Sequence, residues 1–337
     1  MFVLKSKGKI LAVLLVLVFL VVLVGGCGGK SDAPKAADAK KPALIQICGA
    51  TSGGTYFLLA NAIAQMVNTK LPADFKASAQ STAGTPVIIR LLENKEADFG
   101  FGQAGVAKDA LSGTGGFDKK YTNIASVTYV YPNVMQIPVL KESKIKSFAD
   151  FKGKSFAVGA SGSATELNSR DLAKVYGLDY LQKKEFKPEF ASEAQSVELM
   201  KNRQADGANL IAGIGAASVT DLMSSGKYEL ISISDDKLAE LNKINPAYFK
   251  FIIPANTYPN QPTAVQTFAV ANYIFARKDL PEDLVYKFTK AIYEHSADLV
   301  ATHKAAKDIK KENAVNGMTV PLHPGAAKYL KEIGAVK

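Results

Sequence analysis

Two short polar loops carry the residues best suited to hold a ligand. The first, Gly49-Ala50-Thr51-Ser52-Gly53-Gly54-Thr55-Tyr56, follows the apolar run Leu44-Ile45-Gln46-Ile47-Cys48 and opens a helical pattern. The second, Gly159-Ala160-Ser161-Gly162-Ser163-Ala164-Thr165, does the same after Ser155-Phe156-Ala157-Val158. Glycines at such a turn let the main chain approach a ligand closely. Thr51, Ser52, Gly54, Thr55 and Tyr56 in one loop are matched by Ser161, Ser163 and Thr165 in the other as hydrogen-bonding groups. The helix N-terminus behind each loop presents unpaired N–H groups, which favour anions such as carboxylates. Neither loop has the Gly-Lys-Ser/Thr of a P-loop or the spacing of a dinucleotide fingerprint. Ser81, Thr82 and Gly84 form a third polar turn, Gln103 follows a further strand, and Tyr131 and Asn133 lie on a β-rich stretch. Ordinary helix capping is the competing reading for the Ser and Thr residues, and Tyr131 can equally be core.

Catalytic constellations are poor. The 3 histidines, His295, His303 and His323, fall late in the chain at spacings that give no zinc pair. His295 and His303 read as solvated positions on a surface helix. No Gly-x-Ser-x-Gly elbow is present, and Ser and His offer no triad order. Cys48 ends an apolar strand and reads as a small buried hydrophobe. Arg90 and Arg170 sit on helices behind the loops and suit a surface or hinge role. The expectation is therefore binding without catalysis, metal or cofactor.

The elements that must position the loops follow from periodicity. Strands are expected over residues 44–48, 75–80 and 98–102, with helices over 54–67 and 85–93 and another from about 104; Thr85 is the expected N-cap before Pro86. This β-α-β-α-β order requires a parallel sheet with right-handed crossovers. The scheme repeats with strands over 155–158, 185–190 and 207–211 and helices over 165–176, 193–203 and 215–224. Glu96-Ala97-Asp98 is echoed by Gln204-Ala205-Asp206. Residues 124–140 and 266–276 are long β-rich stretches able to cross between two sheets, and residues 281–304 read as one long helix. The expected fold is α/β and two-lobed, with parallel-rich sheets flanked by helices and two crossover strands as a hinge. Lobe 1 takes residues 43–135 and 270–337, and lobe 2 takes 136–269.

Residues 1–27 are set apart as a lipoprotein signal peptide. Lys5, Lys7 and Lys9 precede an apolar run over 10–24, too short for a spanning helix of about 20 residues. Val24-Gly25-Gly26-Cys27 resembles a lipobox, with Cys27 as the lipidated residue, and residues 28–42 read as a flexible tether. Of the 2 cysteines, Cys48 is then left without an intrachain partner. The formal net charge is +10, but the lysines are scattered rather than striped among aromatics, which argues against nucleic acid.

The chain resembles the TAXI family, extracytoplasmic solute receptors of tripartite ATP-independent periplasmic (TRAP) transporters. The resemblance runs through residues 49–56, 96–98, 147–154 (Ser-Phe-Ala-Asp-Phe-Lys-Gly-Lys), 162–168, 254–259, 279–286 and Leu322-His323-Pro324-Gly325. It implies a periplasmic-binding-protein fold of type II that captures a small organic acid, a dicarboxylate or glutamate-like amino acid. Delivery to membrane subunits would be driven by an ion gradient, with the receptor a monomer tethered through Cys27. Departures fall at Gln103-Ala104-Gly105, Tyr131-Pro132-Asn133 and Gly213-Ile214-Gly215, where the family commonly has acids or bulk. Loss of two acids from the expected pocket favours an anionic solute over an amino acid. A ligand-sensing or immunogenic surface lipoprotein is the alternative function, and an exported enzyme on the same scaffold a more distant one.

Overall fold

The computed structural model describes residues 41–337; the expected signal peptide, Cys27 and all of the tether except Lys41 and Pro42 lie outside them. Strand β1 (Ala43–Cys48) runs into α1 (Thr55–Lys70), β2 (Phe75–Gln80), α2 (Thr85–Glu93), β3 (Phe99–Gln103) and α3 (Ala104–Ser112). β1 lies between β2 and β3, parallel to both, with Ala43 opposite Phe75 and Cys48 opposite Gln80. Strands β4 (Ile124–Val134) and β5 (Pro138–Leu140) lead away, and the scheme restarts. It continues through β6 (Ser155–Ala157), α4 (Ala164–Val175), β7 (Lys187–Glu189), α5 (Glu193–Lys201), β8 (Gly207–Ala208) and α6 (Ala217–Ser224). Here β6 lies between β7 and β8, again parallel to both. Then follow β9 (Tyr228–Leu230), α7 (Asp235–Ile244), β10 (Tyr248–Ile253), β11 (Val265–Arg277), α8 (Glu282–Glu294), α9 (Ser296–Thr302) and α10 (Pro324–Glu332).

Two mixed sheets result. The first has the order β10-β11-β3-β1-β2 with β4 also paired to β11; the second is β7-β6-β8-β5-β9. Among the named strands parallel pairs fall within the β-α-β units and the crossover strands add antiparallel pairs, while an isolated parallel bridge joins Ser126 to Leu322. β10 falls within the stretch assigned to lobe 2, yet it hydrogen-bonds to β11 in the first sheet while Tyr248 packs on Phe268 in the second lobe's core.

The internal echo has a physical cause. In the first lobe Gln46 N–H donates to Asp98 Oδ2 at 2.8 Å, and in the second Ser155 N–H donates to Asp206 Oδ2 at 2.8 Å. Each acid ties the start of its strand to the central strand beside it. Each is preceded by a left-handed residue, Lys95 at φ 63° and Arg203 at φ 57°, that turns the chain out of the helix. The glycines opening the two loops share a second role. A Cβ on Gly49 would stand 2.5 Å from Phe57 Cα, and one on Gly159 (φ +103°) 2.7 Å from Thr165 Cγ2, so strand end and helix start can abut only without a side chain.

Aromatic packing fills both lobes. Phe99 stacks on Phe288 with centroids 3.8 Å apart, docking α8 on the first sheet. Phe148 makes edge contacts with Phe156 and Phe186 in the second. Glu166, fully buried, is held by Arg170 Nε and Nη2 at 2.5 and 2.6 Å and by the Tyr180 hydroxyl at 2.6 Å. The expected long helix over 281–304 is broken at His295, which ends α8 and caps α9. Gly84, not Thr85, stands at the N-cap of α2, with Thr85 already helical.

Replacing Asp98 or Asp206 by Ala leaves a strand N–H without its acceptor. Each is expected to lower unfolding stability by about 1–3 kcal/mol in urea denaturation. The larger loss falls at Asp98, which also accepts from Arg277 Nε at 3.0 Å.

Candidate functional site

A cavity of about 80 Å³ lies where the carboxyl ends of the parallel strands of both sheets meet. That is room for several waters, or for a solute of a few heavy atoms. The first lobe lines it with Ala50, Thr51, Gly54, Thr55 and Tyr56 before α1, with 83–85 before α2, and with Gln103, Tyr131 and Asn133. The second contributes Gly159, Ala160, Ser163, Ala164 and Thr165 before α4, Ala191, Ser192, Glu193 and Ser196 around the start of α5, and Asn209, Ile211 and Ala212.

Of the residues singled out from sequence, Thr51, Gly54, Thr55, Tyr56, Gly84, Gln103, Tyr131, Ser163 and Thr165 line this one cavity. Ser52, Ser81, Thr82 and Ser161 are not among its lining residues. Ser52 and Ser161 are exposed. Ser81 and Thr82 instead tie two loops together, their hydroxyls donating to Ala50 O at 3.0 Å and Gly49 O at 2.8 Å.

The four helices that begin at the cavity differ in how they begin. α1 and α2 open at Gly54 and Gly84, with no side-chain cap from the described residues. α4 and α5 open at Ser163 and Ser192, whose hydroxyls accept from Glu166 N–H and Gln195 N–H. Capping, the bland alternative for Ser163, is thus part of its role. Each serine pairs only one first-turn N–H, so among the described residues Ala164 and Thr165 keep theirs unpaired as Thr55 and Tyr56 do, and helix starts in both lobes offer donors to an anion.

Aromatic rings form the floor. Tyr131 is almost wholly buried and meets the Tyr56 ring edge-on at 6.2 Å, while Tyr56 stacks on Phe101 and donates its hydroxyl to Asn272 Oδ1. Burial pushes both phenols well above their usual range, so each is a neutral hydrogen-bonding group. His303, which the periodicity assigned to a solvated helix face, is half-buried against the site. Its Nδ1 accepts from Ala305 N–H at 3.1 Å, so Nε2 carries the proton and donates to Thr55 Oγ1 at 3.2 Å. Burial lowers its pKa. Cys48 lies off the cavity; burial first, then Asp98, pushes its thiol up to about 11, which suits a packing role.

Residues missed by sequence reading are Glu193, Ser192, Ser196, Asn209 and Ile211. Glu193 carries the cavity's carboxylate, with Oε1 accepting from the Ser218 hydroxyl at 2.5 Å. Desolvation raises its pKa against the opposing pull of that hydroxyl. The amide oxygens of Gln103, Asn133 and Asn209 are buried in the lining without a partner among the described residues. An acceptor left unpaired in this way costs about 1–3 kcal/mol. Among the described residues no His, Cys, Asp and Glu converge into a metal-ligating group.

A model of the NMT1-like family matches residues 47–334. Among solved structures, the chain is similar to a protein from Bordetella bronchiseptica RB50 at 17% identity and TM-score 0.51, covering 87% of this chain and 89% of that one. It is also similar to the periplasmic aliphatic sulphonate binding protein SsuA from Escherichia coli, at 15% identity and TM-score 0.45, covering 86% and 84%. A third is PhnD1 from Prochlorococcus marinus in complex with methylphosphonate, at 13% identity and TM-score 0.49, covering 86% and 97%. At such identities the likeness is one of fold, and the fold is the two-lobed periplasmic-binding-protein architecture that the sequence pattern implies.

His303 and His323 are both held neutral by burial, so the unfolded chain takes up more protons than the folded one as pH falls below their ordinary value of 6.5. Stability should therefore decline from about pH 6.5 downward. A His303→Gln variant, followed by thermal melts across pH 5–8, should show a shallower decline than the parent.

Proposed function

The chain belongs to the NMT1-like family, and from that premise we propose that it is an extracytoplasmic solute receptor which closes its two lobes on a small carboxylate-bearing solute. One observation carries the reading: strand-to-helix loops from both lobes line one shared cavity rather than two separate surfaces. The ligand-binding residues in this reading are Thr51, Gly54, Thr55, Tyr56, Gly84, Gln103, Tyr131, Ser163 and Thr165, with Asn209 and Glu193 added to those the sequence suggested. Unpaired first-turn N–H groups at the helix starts of both lobes take a carboxylate, and water exclusion on closure strengthens each hydrogen bond. The cavity's neutral phenols, amides and hydroxyls hold a solute without transforming it.

The finer reading is a receptor of the TAXI type, handing its solute to TRAP membrane subunits for uptake driven by an ion gradient. Its support is the set of sequence motifs over 147–154, 162–168 and 279–286. Attachment to the membrane through lipid on Cys27 rests on the lipobox-like Val24-Gly25-Gly26-Cys27. Adjacent genes decide the transporter: membrane subunits without an ATPase support the TRAP reading, and an ATPase partner overturns that part of it.

Calorimetry and thermal shift with a panel of small mono- and dicarboxylates, oxoacids and amino acids test the receptor itself. At least one should bind at micromolar or lower concentration and raise the melting temperature. Thr55→Val should weaken that ligand by about three- to tenfold, the worth of one hydrogen bond. Absence of binding across the panel defeats the reading.

A further inference from the structure

Beside the cavity the two lobes meet along one face of α4. Ala164, Leu167, Asn168 and Asp171 stand at positions i, i+3, i+4 and i+7, which places them in one stripe along the helix. Ala164 is buried in an apolar cluster that includes Ile88 and Leu92 of α2 and Ala107 of α3. It is the single buried member of that cluster from the second lobe, and half-buried Leu167 packs against the same cluster. A Cβ on Gly84 would stand 3.9 Å from Ser163 Cβ, so the starts of α2 and α4 are in van der Waals contact.

Asn168, 2% exposed, carries the polar contact of the stripe. Its Oδ1 accepts from Gln103 Nε2 of the first lobe at 3.0 Å, and its Nδ2 donates to the Tyr248 hydroxyl at 2.9 Å. Tyr248 in turn donates to Asp171 Oδ2 at 2.6 Å. An ionised carboxylate can only accept, so the hydroxyl proton points to Asp171, the Asn168 amide has one way round, and its oxygen faces Gln103. Tyr248 packs on Phe268 in the second lobe's core, so Asn168 is held from within its own lobe. Only the Gln103 bond crosses. Among the described residues it is the one side-chain hydrogen bond between the lobes away from the crossover strands, and no ion pair joins them.

We propose that this stripe is a latch: Asn168 closes on Gln103 with or without a solute, and thereby sets how long the closed cleft retains what it holds. The proposal rests on the cleft being the solute site and concerns the regulation of that site. Asn168, Leu167 and Tyr248 lie outside the cavity lining, whereas Gln103 is part of it, so Asn168 is a positioning residue that acts through Gln103. Parting the lobes breaks the bond and exposes Ala164 and Leu167 to water. Closing them excludes water from the bond, which strengthens it. Because Asn168 meets no solute, its contribution is the same for every solute.

Calorimetry and stopped-flow binding of succinate, 2-oxoglutarate and L-glutamate to the parent, to Asn168→Ala and to Tyr248→Phe test the latch, with small-angle scattering of each protein without solute. Asn168→Ala should weaken every solute that the parent binds by one common factor of about five to thirty, the worth of a buried hydrogen bond. The loss should fall on the dissociation rate and leave association unchanged, since the latch forms after encounter. Tyr248→Phe frees the Asn168 amide to turn, and should give a smaller loss of the same pattern. Without solute, Asn168→Ala should have a larger radius of gyration than the parent. An unchanged affinity, a loss confined to one solute or an unchanged radius overturns the latch and leaves the receptor reading standing. If none of the three solutes binds, scattering alone decides the latch, apart from the fate of the receptor reading. Should Asn168→Ala fail to fold, Tyr248→Phe decides by the same measures.

Discussion

The antiparallel ladder between β4 and β11 is the constraint on which the rest of this molecule depends. It runs from Ile124 opposite Arg277 to Val134 opposite Ala269, and it is where the chain leaves the first sheet and returns to it. Beyond Val134 the backbone is held by both lobes at once: Val134 and Ala212 exchange N–H···O bonds, while Met135 N–H donates to Phe268 O. Fully buried Gln136 adds its amide to this junction, donating to Ala212 O and accepting from the Tyr258 hydroxyl. Here the two β-α-β units meet at one cleft through this strand pair, which carries the chain from one sheet to the other and back. The cavity floor follows from that span, since Tyr131 and Asn133 lie on β4 and Asn272 on β11.

Polar groups inside this molecule divide into paired and unpaired sets, and of the unpaired atoms among the described residues three line the cleft, the others being Asn272 Nδ2 and His323 Nε2. Glu166 is buried with two partners and serves packing alone. The orphan oxygens of Gln103, Asn133 and Asn209 sit in one cavity wall and floor, while neighbouring amides such as Asn168 are satisfied. Left unpaired, such acceptors cost free energy, and in a cleft they are the groups that an incoming donor would satisfy.

What the sequence made legible was whatever depends on neighbours in the chain. The β-α-β units, the pairing of 49–55 with 159–165 and the echo of Asp98 in Asp206 are patterns of a few dozen residues, and each corresponds to a local geometric need. The rest depended on contacts between distant segments. Glu193 reads as an ordinary acidic residue in the first turn of a helix opened by the capping box Ser192–Gln195, and only the fold brings it beside the other lobe's Gly54. His303 looks like one more helical position until the helix breaks at His295 and brings the ring to Thr55, 248 residues away in sequence. Asn209 is one polar residue in an apolar run. Hydroxyl-rich loops were overvalued for the same reason: Ser81 and Thr82 satisfy backbone carbonyls of a neighbouring loop instead of facing the cavity.

The two lobes repeat one scaffold, yet a single kind of change separates them at the cleft. Where the first lobe begins α1 and α2 at glycine, the second begins α4 and α5 at serine. Each serine hydroxyl takes one first-turn N–H, that of Glu166 or Gln195, where at α1 and α2 the matching N–H of Phe57 or Val87 turns back to the glycine carbonyl; at α5 an acid also follows the serine directly. Donors therefore remain on both sides of the cleft, at Thr55 and Tyr56 in one lobe and at Ala164 and Thr165 in the other. The change of cap chemistry in one copy of the repeat leaves the backbone scaffold and its helix-start donors in place, and what it adds at the cleft is one carboxylate, Glu193, directly after the serine that opens α5.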